Sequence, residues 1–385
     1  MHVVVVGGGF GGVKAALELS KRQIGKVTLI SDQPYFLHHA TLYATATGKS
    51  DEESVIPLNV IFANHPNVEI VHDKIEHLDT TRRLISSKKH GYHYDKLVIA
   101  LGSVTTFFNI PGLDNHAFGI KSLQEIRQFQ DHIHEEVVKQ KLDKEYFVIG
   151  AGPTGVEFAA ALSDHLEVIK DVYRLKNTGS KVTLVEAAPR ILPTMSATAS
   201  KKVSRALKQQ KVRILTNHKV EKLEDDSITI EGKKYPTTTA IWTSGVTNHP
   251  FFKQNHDVFH LAPNGKVKVN PYLEALDNVY VIGDNSNAAK HHMALPAIHQ
   301  ATHVANNITR GATGRAQVAY KFTRVPVGVP VGETWGYVEW FGIYVAGRSG
   351  GMVRRWMELY GYTRLVPLKI ALPIWRAHHL NEVDY

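Results

Sequence analysis

The chain has 385 residues, of which 43% are hydrophobic and 21% charged, values typical of a globular protein with two or three domains. It contains no cysteine, which excludes disulfides, thiolate metal sites and redox-active cysteine pairs, so any electron relay must use bound cofactors. The formal net charge of +9 favours anionic partners such as lipid or an acidic protein. Because the basic residues are spread out and no nucleic-acid-recognition motif occurs, we expect no nucleic-acid partner.

The start of the first strand and the length of the apolar runs indicate where the protein is located in the cell. That strand begins at His2, so we expect no signal peptide and a cytoplasmic protein. We find no apolar run of about 18 residues, the length that a membrane-spanning helix needs. The 22 histidines include adjacent pairs, but none has the spacing of a metal site beside a carboxylate, and we expect no metal. These pairs are His38-His39, His291-His292 and His378-His379.

A glycine fingerprint follows the first apolar run of the chain. It comprises Gly7, Gly8, Gly9, Phe10, Gly11 and Gly12. Apolar residues then recur with helical spacing, and a second apolar run ends at Ser31 and Asp32. Gly7 permits a tight turn, Gly9 lets a pyrophosphate approach the backbone, and Gly12 allows the helix to pack closely on the strand. This order predicts a dinucleotide site in which Asp32 holds ribose hydroxyls.

The same pattern recurs in the middle of the chain. The second fingerprint comprises Gly150, Gly152, Pro153, Thr154 and Gly155. A helix predicted through Lys176 follows, and the next apolar run leads into Glu186. A carboxylate there accepts hydrogen bonds from ribose hydroxyls and repels a 2′-phosphate, so NADH is favoured over NADPH. Two dinucleotide sites in one chain suggest that a nicotinamide nucleotide passes hydride to a flavin.

A third apolar run, at 279–282, ends in Gly283 and Asp284. A carboxylate at the carboxyl end of a strand can accept hydrogen bonds from the ribityl chain of a flavin, so we assign Asp284 to the first site. The helix predicted at 297–308 would direct the positive end of its dipole toward this flavin.

Several segments together resemble the type II NADH:quinone oxidoreductases, a family of flavoproteins with two dinucleotide-binding folds. The matching segments extend over nearly the whole chain. They are 27–30, Tyr35, Leu42-Tyr43, 94–103, 109–112, 117–123, 152–157, 241–246 and Gly283-Asp284.

The resemblance implies an α/β architecture of two Rossmann-like domains and an amphipathic C-terminal segment that docks on a membrane. FAD would occupy a discontinuous domain formed by 1–112 and 245–320, and NADH an inserted domain at 113–244. Residues 321–385 would mediate membrane association or dimerisation.

The resemblance also implies roles for single residues. The backbone of Ile75 would contact the adenine of FAD, Ala100 and Gly102 would lie on the flavin side of the crossover, and Gly245 would lie on the NADH side. Glu157 would lie near the nicotinamide and flavin rings as the catalytic carboxyl group. The alternative is that Glu157 is buried and caps the first turn of its own helix.

Departures from the family pattern fall mainly at the flavin and acceptor sites. Ser31 stands where the family has an acid at the strand end, and Leu101 replaces a threonine. The family's Ala-Gln-x-Ala-x-Gln quinone motif has no clean counterpart, and 297–301 occupies that region. We expect His299 and Gln300 to line the acceptor pocket.

The composition after Tyr320 shifts toward aromatic residues, glycine and arginine. An apolar stripe with helical spacing comprises Met352, Trp356, Leu359 and Tyr360. With Arg354 and Arg355 off this stripe, the pattern predicts a short helix in a membrane interface. The segment 365–375 adds apolar residues, but Pro367 and Pro373 break it. The competing interpretation is that the stripe packs on the flavin domain or forms a homodimer interface.

These patterns favour an FAD-dependent enzyme that oxidises NADH and passes two electrons to a membrane quinone, without proton pumping, at the cytoplasmic face of the membrane. One alternative is an NADH-dependent reductase of a soluble ferredoxin or rubredoxin, which also needs no thiol. Another is a nucleotide-binding sensor without turnover, which the altered residues Ser31 and Leu101 would suit.

Overall fold

The computed structural model describes residues 1–142, 144–175, 179–288 and 293–381. The helices are α1 (Phe10–Lys21), α2 (Leu42–Ala46), α3 (Leu58–Ile61), α4 (Leu113–His116), α5 (Leu123–Val138), α6 (Pro153–Val172), α7 (Ala197–Gln209), α8 (Pro250–Gln254), α9 (Ala294–Ala312), α10 (Arg348–Thr363) and α11 (Leu368–Arg376).

The strands alternate with these helices along the chain. They are β1 (His2–Val6), β2 (Lys26–Ser31), β3 (Tyr35–Leu37), β4 (Val55–Pro57), β5 (Val68–His72), β6 (His77–Asp79), β7 (Leu84–Ser86), β8 (Gly91–His93), β9 (Lys96–Ile99), β10 (Ser103–Thr105), β11 (Glu145–Ile149), β12 (Lys181–Glu186), β13 (Arg213–Thr216), β14 (Val220–Glu224), β15 (Ser227–Ile230), β16 (Lys233–Pro236), β17 (Ala240–Trp242), β18 (Val246–Asn248), β19 (Glu274–Leu276), β20 (Val279–Val281), β21 (Val327–Val331), β22 (Trp335–Trp340) and β23 (Ile343–Gly347).

A six-stranded sheet in the order β19-β20-β9-β1-β2-β5 forms the first nucleotide unit. Its five strands from β20 to β5 are parallel, and Val5 of β1 pairs with Leu29 on one side and Val98 on the other. Helices α1 and α9 pack together over one face. Because both faces are covered, the β1 residues from Val3 to Val6 are uniformly apolar and buried.

A four-stranded parallel sheet in the order β13-β12-β11-β17 forms the second unit. Helices α5, α6 and α7 contribute to the core on one of its faces. The start of α5 is fixed by a reciprocal capping box, in which Ser122 and Glu125 each accept a hydrogen bond from the other's backbone N–H. The predicted parallel α/β fold is therefore confirmed.

The chain passes between the two sheets through an antiparallel pair. Strand β10 follows β9 of the first sheet, β18 follows β17 of the second, and the two pair from Ser103–Asn248 to Thr105–Val246. The chain then returns to the first sheet, where β20 pairs with β9. The second sheet is thus inserted between strands of the first.

The C-terminal part packs against both units. Val329 and Tyr337 of the sheet β21-β22-β23 belong to the core of the second unit, whereas Leu359 and Tyr362 of α10 belong to that of the first. Two predictions about the C-terminal segment are wrong. Leu359 is buried because it packs into the first core, and Pro373 lies inside α11 instead of ending the helix.

The inner face of α10 carries charges, and Arg354 and Arg355, which the sequence places off the apolar stripe, contribute to it. Arg354 donates to Glu358 over 2.8 Å, and Arg355 lies against both Glu358 and Glu53. Glu53, which is fully buried, also pairs with His378 over 2.8 Å. This cluster, which we call the α10 ion cluster, ties the C-terminal part to the segment that follows α2.

Three predicted helix boundaries are wrong. Helix α6 ends at Val172, short of Lys176, and the N–H of Tyr173 donates to Ile169 O and Asp171 O there. Helix α9 begins at Ala294, three residues before its predicted start, and ends at Ala312, four residues beyond its predicted end. Lys176 and the pair His291-His292 lie outside the described residues. Within the described ranges, no helix is long and apolar enough to cross a membrane.

Candidate functional site

The first fingerprint forms a cradle at the carboxyl end of β1. A Cβ atom on Gly7, whose φ is +115°, would lie 2.3 Å from the carbonyl oxygen of Ala100, and one on Gly12 would lie 1.9 Å from Gly7 O. A Cβ on Gly9 would meet nothing within 4 Å. Two glycines are therefore required by the protein's own packing, whereas the third borders open space.

The second fingerprint repeats this division at the carboxyl end of β11. A Cβ on Gly150 would lie 1.9 Å from Ser244 Oγ, and one on Gly155 would lie 1.8 Å from Gly150 O. The middle glycine, Gly152, again has nothing within 4 Å. Both turns thus have the geometry that a pyrophosphate needs in order to approach a backbone closely.

The helices that follow the two fingerprints begin without side-chain caps. The N-cap residues of α1 and α6 are Gly9 and Gly152, whereas Ser122 and Ser196 cap α5 and α7 with their hydroxyls. The first-turn N–H groups of α1 and α6 are therefore available to an anionic ligand, and the helix dipole favours one. Pro153 at the first position of α6 removes an N–H that the helix does not use.

The remaining residues of the two fingerprints differ in their contacts and burial. Phe10 packs edge-on against Phe36 at 4.8 Å, and a Cβ on Gly11 would contact Ala100 at 3.3 Å. A Cβ on Gly8 would lie 2.4 Å from Ser31 Oγ, so this glycine and the small serine fit each other. Thr154 of the second fingerprint is exposed.

The strand-end acids differ between the two units. Asp32 is exposed, and its neighbour Ser31 is buried and accepts a hydrogen bond from Gln33 N. Glu186 accepts hydrogen bonds from Ala151 N at 2.7 Å and Ala188 N at 2.8 Å. The second carboxylate is therefore held beside its fingerprint, while the first is exposed at the surface.

A polar cluster joins the crossover to the end of β20. Ser103 Oγ donates to Asp284 Oδ2 at 3.1 Å. The fully buried amide of Asn285 accepts from Gly102 N at 2.9 Å and donates to Gly102 O at 2.6 Å. Sequence reasoning gave no role to Ser103, which ends the matching segment 94–103, or to Asn285, which follows Asp284 directly. We call Lys121, Ser103 and Asp284 the crossover cluster, because the Lys121 ammonium donates to Ser103 Oγ at 3.2 Å.

Other predicted residues lie around these turns. Ala100 and Ile75 are buried, at the end of β9 and in the loop after β5 respectively. Gly245 lies under the ring of Phe108, where a Cβ would come within 2.5 Å of Cε2. The structure gives these three residues packing roles, and their contacts with nucleotides stay predictions.

Glu157 lies near the start of α6 and is buried against α10. Its Oε1 lies 3.9 Å from Arg354 Nη2, and no hydrogen bond joins it to the backbone of α6, so the interpretation of Glu157 as a cap is wrong. Burial raises the pKa of Glu157 to about 8, opposed by Arg354 and assisted by the negative charge of Glu358. Burial also raises the pKa of the nearby Tyr43 phenol, and the negative charge of an ionised Glu157 would raise it further. The carboxyl group therefore holds a proton at neutral pH.

The structure separates the two residues that we expected to share an acceptor pocket. His299 is partly exposed, but Gln300 is fully buried and its Oε1 accepts a hydrogen bond from Gly283 N at 2.7 Å. Neighbouring residues on a helix point about 100° apart, a rule that could have found this difference. Gln300 thus supports the turn before Asp284 through its Oε1, and its place in an acceptor pocket stays a prediction.

Gly152→Ala and Gly155→Ala should separate the two roles of the second fingerprint. A methyl group at Gly152 enters open space, so folding stability should stay near wild type while NADH binding weakens about tenfold, because the pyrophosphate is kept from the backbone N–H groups. At Gly155 the methyl group meets Gly150 O, so this variant should lose folding stability. Thermal unfolding and fluorescence titration with NADH measure both effects. Wild-type NADH affinity in Gly152→Ala would contradict the assignment.

Comparisons with known proteins agree with this geometry. A type II NADH:quinone oxidoreductase of Staphylococcus epidermidis is 25% identical over 96% of this chain and 97% of its own. One of Staphylococcus aureus is 26% identical over 92% of this chain and 93% of its own. The resemblance seen in the sequence is therefore confirmed over the full length.

Solved structures share the fold. The structure of NDH2 from Plasmodium falciparum in complex with NADH superposes with a TM-score of 0.87 at 17% identity and covers 98% of this chain and 97% of that one. The sequence model of the pyridine nucleotide-disulphide oxidoreductases matches residues 1–307. FAD and a nicotinamide nucleotide are the cofactors typical of these enzymes. The chain belongs to the pyridine nucleotide-disulphide oxidoreductase family.

Proposed function

We propose that the protein oxidises NADH through bound FAD and delivers two electrons to a membrane quinone, without pumping protons. The observation that carries this proposal is that helix α10 has a charged inner face and an apolar outer face. Its inner face places Arg354 against the proton-bearing Glu157, and its outer face exposes Met352 and Trp356 at 64% and 61%. One helix thus connects a buried redox site with an apolar surface that a lipid-soluble acceptor could approach.

The first cradle fits FAD. The open space at Gly9 and the uncapped start of α1 suit a pyrophosphate, Asp32 can hold ribose hydroxyls, and Asp284 can accept from the ribityl chain. When bound, FAD supplies the two-electron chemistry that links a hydride donor to a quinone.

The second cradle fits NADH. Gly152 and the start of α6 suit its pyrophosphate, and both carboxylate oxygens of Glu186 are oriented by backbone N–H groups. A carboxylate held in this way keeps lone pairs for two ribose hydroxyls and repels a 2′-phosphate, which supports NADH over NADPH.

Glu157 can meet the proton requirement of the reaction. Reduction of a quinone to a quinol takes up two electrons and two protons, whereas a hydride carries two electrons and one proton. A buried carboxyl group with a pKa of about 8 holds the missing proton at neutral pH. Because the chain has no cysteine, the thiol relay of other enzymes with this fold is not available to it.

The outer surface of the C-terminal part supports docking on a lipid bilayer. Its exposed apolar residues, which we call the docking face, are Trp340, Phe341, Ile343, Tyr344, Met352, Trp356, Tyr360 and Leu368. Arg324, Lys202 and Arg364 lie over the rings of Phe341, Tyr344 and Tyr360 respectively. An apolar face with cations at its rim suits anionic lipid on the cytoplasmic side of a membrane, and a second copy of the chain is the alternative occupant.

The decisive experiment has two stages. Rapid mixing of the yellow holoprotein with NADH should bleach the oxidised-flavin absorbance, and a protein that stays coloured would contradict NADH oxidation. Steady-state rates should then be higher with a short-chain quinone than with a soluble ferredoxin or rubredoxin. The reverse preference would favour the soluble reductase, and a colourless protein without turnover would favour the sensor.

Glu157→Gln should remove the pH dependence of quinone reduction. Wild-type turnover should fall as the pH rises through about 8, because the carboxyl group then loses its proton. The amide holds no transferable proton, so turnover should be at least about tenfold slower and lack this fall. The exposed Glu167→Gln on the same helix should keep the wild-type profile. An unchanged profile in Glu157→Gln would contradict the role.

The same substitution should change the pH dependence of folding. Folded Glu157 keeps its proton up to about pH 8, whereas the ordinary pKa of a glutamate is 4.5. The stability contribution is therefore fully present below about pH 4.5 and declines as the pH rises to about 8. Thermal unfolding across this range should show the decline in the wild type and a smaller one in Glu157→Gln.

Met352→Ser combined with Trp356→Ser should weaken binding to vesicles of phosphatidylglycerol and phosphatidylcholine. Loss of two apolar anchors should lower the vesicle affinity at least about tenfold and leave flavin bleaching by NADH unchanged. Val138→Ser, at the similarly exposed end of α5, is the control. Vesicle sedimentation measures the effect. Undiminished vesicle binding would contradict docking through this face, and a changed oligomeric state would identify it as a dimer interface.

A further inference from the structure

The crossover cluster contains an ammonium group that the proposed mechanism leaves unused. Lys121 Nζ donates to Ser103 Oγ at 3.2 Å and to the carbonyl oxygen of Ser103 at 3.4 Å. Ser103 Oγ in turn donates to Asp284 Oδ2 at 3.1 Å. The three side chains therefore form a chain that ends on the carboxylate assigned to the first nucleotide site.

Lys121 has no carboxylate in contact. Among the described residues, no acidic oxygen lies within 4.0 Å of its ammonium group, although Asp284 and Glu125 attract it from farther away. The Glu125 carboxylate is already used at the start of α5, where it accepts from the N–H groups of Lys121 and Ser122. A partly buried ammonium group without an ion pair is costly to desolvate, and this burial lowers the pKa of Lys121.

The position of this cation points to a ligand. Ser103 begins β10 just beyond the carboxyl end of β9, and Asp284 follows β20, which pairs with β9. Ligands of open parallel sheets bind beyond the carboxyl ends of the strands. The turn there is rigid because Asn285 holds both backbone polar groups of Gly102. A partly buried cation in such a place is suited to compensate the negative charge of a ligand.

We infer that Lys121 is a positioning residue for the flavin, which fixes Asp284 through Ser103 and compensates the negative charge that hydride transfer brings to the bound cofactor. This inference rests on the proposed function, in which FAD occupies the first cradle. The pyrophosphate already has the free N–H groups of α1 at Gly9. A fixed positive charge costs no reorganisation when the new charge arrives, so it stabilises the reduced state more than the oxidised one.

The test compares Lys121→Met, Lys121→Arg and the wild type as holoproteins. The reduction potential of bound FAD is measured by equilibration with a reference dye, and the dissociation constant of oxidised FAD is measured by fluorescence. In Lys121→Met the potential should become more negative, with reduced FAD losing about tenfold more affinity than oxidised FAD. Lys121→Arg keeps the charge and should restore the potential. The exposed Lys139→Met, at the far end of α5, should match the wild type.

The outcomes that overturn the inference are distinct. Equal losses of affinity for oxidised and reduced FAD would show that Lys121 contacts a group of constant charge. A lower unfolding temperature with an unchanged potential would show that Lys121 only joins α5 to β10. If the wild-type protein bound no FAD, the proposed function would fail and this inference with it. If the wild type bound FAD and Lys121→Met did not differ from it, only this inference would fail.

Discussion

The α10 ion cluster is the interaction on which the arrangement of the molecule depends. Glu53 and Glu358 are buried and Arg355 is partly buried beside them, and removal of one partner from a buried ion pair costs on the order of 3 to 5 kcal/mol. The cluster therefore fixes α10 in one orientation. Through Arg354 that orientation reaches Glu157 on the second unit, so the proton-bearing carboxyl group and the apolar outer face are held by the same contacts.

The repeated parts of the fold could be predicted from the sequence. Both fingerprints follow short apolar runs, and this local order determines a strand, a turn and a helix with little influence from distant residues. The steric roles of Gly7 and Gly12 follow from the same local order, and the structure shows the expected close contacts at both, whereas Gly9 borders open space. The nucleotide contacts themselves stay predictions, because they depend on a ligand.

The contacts between distant segments could not be predicted. Glu358 lies within one helical turn of Arg354 and Arg355, so these pairs follow from local spacing. Only the fold brings Glu53 against Arg355. Helical geometry predicts that His299 and Gln300 point in different directions, but not that Gln300 meets the N–H of Gly283. A single sequence shows the periodicity of each element but not which elements pack together. The contacts of these residues depend on that packing.

The insertion of one sheet within another has a consequence for synthesis. Strand β9 ends at Ile99, but its partner β20 begins only at Val279, so the first sheet cannot be completed until most of the chain has left the ribosome. The inserted sheet, whose strands lie between Glu145 and Trp242, can form earlier. A pairing over so long a separation closes slowly, and the unpaired edge of β9 stays exposed meanwhile. The order of the strands therefore makes completion of the first sheet a late, long-range step of folding.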